Sequence, residues 1–180
     1  MSFICEITVS DITSIISVAL AIIGGVFAYY QWRKSNALRR AEYINELTEK
    51  IRTDKDIRDT VYLLDYGDKW YCRKFHKSGK MELRMDKTLS YFSYICYLKK
   101  QKIIYDKEFD FFRYEIKRIL VNDQIQDYLY NLYHFANKNG EPITFKHLYD
   151  YGEELKVFDN DFYDKNSYKR NNKYNCYLEF

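Results

Sequence analysis

The sequence predicts an all-α protein in which one N-terminal transmembrane helix continues into a cytosolic helical bundle. Three observations carry this. Between Asp11 and Arg33 no residue is charged, in a chain that is 31% charged overall. Breakers are scarce, with 6 Gly and 1 Pro in 180 residues, which argues against a sandwich or barrel. Beyond the uncharged stretch, apolar residues recur at three- and four-residue steps.

The span is set at 12–32. Its 21 residues, at 1.5 Å each, reach roughly 31 Å, the thickness of a bilayer's hydrocarbon. A buried core helix of that length would carry a charged face, and a cleaved signal would open on Lys or Arg. Residues 1–11 hold Glu6 and Asp11 and no base. They read as a short extracytoplasmic N-terminus. Arg33, Lys34, Arg39 and Arg40 follow the span, so the N-terminus should face out and the rest should face the cytoplasm. Tyr29, Tyr30 and Trp32 stand at the cytoplasmic end, where amphipathic rings prefer the headgroups.

The small residues of the span fall in a pattern. Ser14, Ser17, Ala21, Gly24, Ala28 and Gln31 are spaced 3, 4, 3, 4, 3, and Ser35 extends the series. They share one helix face. Ile16, Leu20, Ile23, Phe27 and Tyr30 repeat the spacing with bulky residues on another face. A slim seam lets helices approach closely in lipid. It serves as a dry contact between copies, or as the lining of a wet lumen in a ring. The spacing leaves both open.

The cytosolic domain spans 33–156. Leu38, Ala41, Ile44, Leu47 and Ile51 extend the helical pattern with no breaker to Arg52, and Glu46 with Lys50 has favourable i, i+4 spacing. The membrane helix is therefore expected to run on as a stalk. A second helix is capped by Thr53 or Asp54 and stops at Gly67. Three more open on Asp86, Asp106 and Asn122, the third closing on Gly140. A last helix follows Pro142, and 157–180 reads as an irregular tail.

Between Lys69 and Lys87 the chain is irregular and basic: seven Lys or Arg stand against Glu82 and Asp86, with Trp70, Tyr71 and Phe75 interleaved. Lys69, Arg73, Lys74, Lys77, Lys80 and Arg84 are the candidate patch for an anionic ligand, either nucleic acid or lipid headgroup. A solvated loop is the plainer reading of the same residues.

No catalytic constellation is visible. The motifs for phosphate loops, dinucleotide sites, serine hydrolases and zinc proteases are absent. Cys72 and His76 could form half of a zinc site, without a second half. His134, between Tyr133 and Phe135, reads as a satisfied core histidine. Helical RNases of the HEPN type place His four to six residues after Arg; Arg73 and His76 are too close for that. The expectation is a non-enzyme with no metal and no cofactor. The four cysteines form no CxxC pair, and a net charge of +3 does not by itself point to nucleic acid.

The stretch "LSYFSYICYLKKQKIIYDKEFDFFRYEIKRIL", Leu89 to Leu120, resembles the helical core of a family of short bacterial membrane proteins, some of which travel with defence systems. In size and layout the chain also resembles the membrane accessory proteins of type VI-B CRISPR systems. The resemblance implies a homo-oligomeric ring in the inner membrane, a pore that strengthens anti-phage defence, and an RNA-guided RNase as functional partner. It carries over no catalytic residue. The alternative is a membrane-tethered nucleic-acid-binding module or a degenerate HEPN-like RNase.

Overall fold

The computed structural model describes residues 9–66, 69–77, 79–170 and 173–180. Among them no strand occurs, and the architecture is all-α. The expected stop at Gly67 and the first eight residues of the expected N-terminal segment lie outside the described residues. The chain divides into two compact units between Asn45 and Glu46.

The first unit is the greater part of helix α1, Val9–Thr53. Among the described residues this is the one helix long and apolar enough to cross a membrane. Its apolar window has no buried residue. The helix needs no help from tertiary packing to satisfy its backbone, because each interior N–H bonds within the helix. Thr13, Ser14 and Ser17 donate their hydroxyls to the carbonyls of Val9, Ser10 and Thr13 one turn back.

The second unit begins with the last turns of α1. It continues with α2, Lys55–Tyr66; α3, Lys80–Lys100; α4, Asp106–Val121; α5, Asp123–Asn139; α6, Lys146–Glu154; and two single turns, α7, Asn160–Tyr163, and α8, Ser167–Arg170. A 3-10 turn covers Phe75–Lys77. Helix α3 is central and packs on α2, α4 and α6. Its residues Met85, Leu89, Phe92 and Ile95 recur at steps of four and three, and all are fully buried. They meet a core of Phe109, Phe112, Ile116, Ile125 and Leu129, also fully buried. Each such side chain contributes about 1.5–3 kcal/mol by leaving water.

The helix ends follow local chemistry. Asp54 Oδ1 accepts from the backbone N–H groups of Asp56 (3.0 Å) and Ile57 (3.3 Å), so it caps α2. Asn122 caps α5 through Gln124 and Ile125, both at 3.1 Å. Gly140 closes α5 at φ 67°, a left-handed conformation that glycine adopts without a Cβ clash. Helix α4 begins at Asp106, but Glu108 supplies its cap by accepting from the Tyr105 N–H at 2.7 Å. Lys50 places its ammonium over the Tyr91 ring, 5.4 Å from the centroid. The Tyr91 hydroxyl donates to the Leu47 carbonyl.

Three expectations need correction. Helix α3 starts at Lys80 after Gly79, not at Asp86. The Asp86 carboxylate instead accepts from the Tyr128 hydroxyl at 2.5 Å, a partner 42 residues away. Helix α6 starts at Lys146 behind Phe145, and it is not the last helix. The segment 157–180 is not simply irregular: it holds α7 and α8 and buries Phe158, Phe162, Ser167 and Tyr174. Gly152 on α6 shows how tightly it packs, because a Cβ there would sit 2.3 Å from Phe158 Cε2.

Residues 174–180, which form neither helix nor strand, make a strap laid on α5. Asp127 Oδ1 accepts from the Asn175 N–H (2.9 Å) and Oδ2 from the Asn175 side chain (2.6 Å). One turn on, the fully buried Asn131 donates to the Asn175 carbonyl (2.6 Å) and accepts from the N–H groups of Tyr177 (2.6 Å) and Leu178 (2.9 Å). Tyr174 stacks on Tyr130, with centroids 4.8 Å apart and planes 9° apart.

Candidate functional site

Two sets of residues were singled out by the sequence, and each lies within one unit. Ser14, Ser17, Ala21, Gly24, Ala28 and Gln31 are all exposed along α1. At their spacing they share a face of the helix. No atom comes within 4 Å of a Cβ built at Gly24. The face is slim and open, and Ser14 and Ser17 have already committed their protons to their own helix. Their oxygens remain acceptors, so they suit close contact without leaving an unsatisfied donor in lipid. The bulky residues Ile16, Leu20, Ile23, Phe27 and Tyr30 are equally exposed. At the expected cytoplasmic end, the Tyr29 and Trp32 rings lie 6.1 Å apart.

The basic segment is partly dispersed. Lys69, Arg73, Lys74 and Lys80 are exposed, and the Lys77 side chain lies outside the described residues. Arg84 turns away to α2, where Nη2 lies 3.2 Å from Asp59 Oδ2 and Nε 3.5 Å from Asp56 Oδ1. Lys87 bridges Asp54 and Asp56, each at 2.8 Å. The interleaved aromatics do not form an open stacking platform. Tyr71 and Phe75 are buried and pack edge-on against Tyr128.

Several polar residues that the sequence did not single out organise this region. Gln124 Oε1 accepts from the backbone N–H groups of Trp70 (2.6 Å) and Tyr71 (2.9 Å), which pins the irregular loop to α5. His76 Nδ1 lies 2.8 Å from Glu82, and Nε2 lies 3.0 Å from the Tyr71 hydroxyl. With Nδ1 donating to the carboxylate, Nε2 accepts from Tyr71, and His76 is fully occupied. Burial pushes the Tyr71 phenol well above its ordinary range, so it stays a donor. Asp86 and Asp127 are also raised, chiefly by desolvation. His134 is buried with Nε2 2.9 Å from the Phe162 carbonyl, and burial lowers its pKa. Cys96 is buried and its thiol is pushed up to about 12, so it is no nucleophile at neutral pH. Among the described residues, no group of three His, Cys, Asp or Glu could hold a metal ion.

Set beside known proteins, the chain matches no family model, no curated protein and no solved structure. Fold and candidate site define a class: an all-helical protein with one exposed, apolar helix of membrane-crossing length.

Proposed function

We propose that the protein is a homo-oligomeric, single-pass effector of the bacterial inner membrane, with its N-terminus outside and the second unit in the cytoplasm. One observation carries the reading. Nine large apolar side chains from Ile12 to Phe27 are 48% to 66% exposed. Leaving them in water forgoes about 10–15 kcal/mol of apolar burial. That matches the whole stability of an ordinary domain. Lipid is the medium that removes the penalty along every side of the helix at once. Arg33, Lys34 and Arg39 at one end, with no base in residues 9–32, support the orientation.

Assembly through Ser14, Ser17, Ala21, Gly24, Ala28 and Gln31 follows from the slim face, since lipid-exposed helices associate by close packing. The second unit adds an aromatic patch suited to self-association. Tyr62, Tyr66, Phe111 and Tyr114 are 65% to 75% exposed. Arg118 ties their two helices together, pairing with Asp65 at 2.8 Å and lying over the Tyr114 ring at 5.4 Å. The layout that resembles CRISPR accessory proteins extends the proposal to a pore acting in anti-phage defence beside an RNA-guided RNase. A nucleic-acid tether that stacks bases on the aromatics of the 69–87 segment is less well supported, because Tyr71 and Phe75 are buried in the core.

A membrane-potential dye in expressing bacteria tests the pore. The wild type should depolarise cells, and Ala21→Leu with Gly24→Leu should abolish this at equal membrane abundance. Equal depolarisation by the double variant would refute assembly through this face.

A further inference from the structure

Two clefts meet at the C-terminal half of α5. The first, of about 270 Å³, is lined by Arg73, Lys138, Tyr168, Tyr177 and Phe180, together with other strap residues. The second, of about 440 Å³, is lined by His134, Asn137, Lys138, Lys165 and Phe180. They share Lys138 and Phe180. Both volumes are close to those of small-molecule sites, which run from about 300 to 1,000 Å³.

Their electrostatics set them apart. In the cleft between α3 and α6, of about 300 Å³, the cations are neutralised locally: Lys99 meets Glu154 at 2.9 Å and Lys100 meets Asp150 at 2.8 Å. At the α5 clefts the ammonium and guanidinium groups of Arg73, Lys138 and Lys165 have no carboxylate in ion-pair range among the described residues, and all are exposed. Lys138 bonds only a backbone carbonyl, that of Glu179 at 3.1 Å. Asp164 beside Lys165 is taken by Arg170. Three cations from parts of the chain far apart in sequence line these clefts against half-buried aromatic rings, with Glu179 as the acidic side chain of the lining.

We propose that these adjoining clefts bind a phosphorylated oligonucleotide of about two residues. Phosphates would lie among Arg73, Lys138 and Lys165, and bases would stack on Tyr168, Tyr177 and Phe180. The two volumes suit two nucleotides with Lys138 between them. The site belongs to the second unit alone, so it does not depend on the membrane reading above, and its failure would leave that reading standing.

The test is calorimetric titration of the full-length protein in mild detergent with 5′-phosphorylated diadenylate RNA. Comparison probes are tripolyphosphate, glycerol 3-phosphate and adenosine. The diadenylate should bind at least tenfold more tightly than each of these, since none offers both phosphate and paired bases. Between 50 and 200 mM salt the log–log slope should lie near −1.4, about 0.7 for each of the probe's two phosphates. Arg73→Gln with Lys165→Gln should weaken binding tenfold or more. An independent readout uses the wild type: diadenylate should protect Lys138 and Lys165 from acetylation by acetic anhydride. The proposal is overturned by no binding at 1 mM, by unchanged lysine acetylation, or by an unchanged affinity of the double variant. It is overturned equally if tripolyphosphate or glycerol 3-phosphate binds as tightly as the diadenylate, which would mark a bare anion or headgroup site.

Discussion

Replacing Asn131 by Leu should free the C-terminal strap. The side chains are of similar volume, so the fully buried site is not left empty. What changes is hydrogen bonding. The Asn175 carbonyl and the N–H groups of Tyr177 and Leu178 lose the partners they have at 2.6, 2.6 and 2.9 Å. A buried unsatisfied group costs about 1–3 kcal/mol, and these are half-buried, so about 1 kcal/mol each gives about 3 kcal/mol. Local opening of the strap should then be favoured about a hundredfold more than in the wild type. Amide hydrogen exchange by mass spectrometry reads this directly: Tyr177 and Leu178 should exchange about a hundredfold faster, while the amides of α3 are unchanged. An acceleration below threefold would refute the view that Asn131 holds the strap.

Three other perturbations test separate parts of the structure. Gly152→Ala should destabilise by about 1–2 kcal/mol in thermal melts, since the 2.3 Å approach to Phe158 outweighs alanine's helix preference; Phe158→Leu should relieve most of that loss, and a more stable Gly152→Ala chain would contradict the packing. Asp86 has its pKa raised above 3.8, so the folded chain holds this proton to higher pH than the unfolded one, and stability from this group falls as pH rises through that window. Asp86→Asn keeps an acceptor for Tyr128 and should be more stable than wild type at pH 7 in urea melts, the difference closing below pH 3.8; a less stable variant at pH 7 would reverse the sign. Leu20→Arg places a charge mid-span, at a cost of about 3 kcal/mol or more in lipid. It should deplete the protein from the membrane pellet, whereas unchanged membrane abundance would argue against a lipid-embedded α1.

The helices were legible because their signals are local. The uncharged run of α1, the Asn122 cap and the Gly140 stop each operate within one or two turns. Asp86 misled because a carboxylate before a helical pattern resembles a cap, while its true partner, Tyr128, lies 42 residues away. The strap was missed for the same reason. Asn131 and Asp127 are ordinary polar residues of a helix until residues 46 to 48 positions later dock on them. The basic segment shows a different ambiguity. Alternating bases and rings fit a stacking surface and fit a loop that buries its rings, and only the Gln124 anchor and the Tyr128 contacts decide for the second. The slim face of α1 was readable from spacing alone; what it meets was not.

The central claim is that α1 lies in lipid and meets copies of itself. The mass of the purified full-length protein in mild detergent, by light scattering corrected for bound detergent, tests it most directly. A closed assembly of six or more chains is predicted; a monomer at every protein concentration would contradict it.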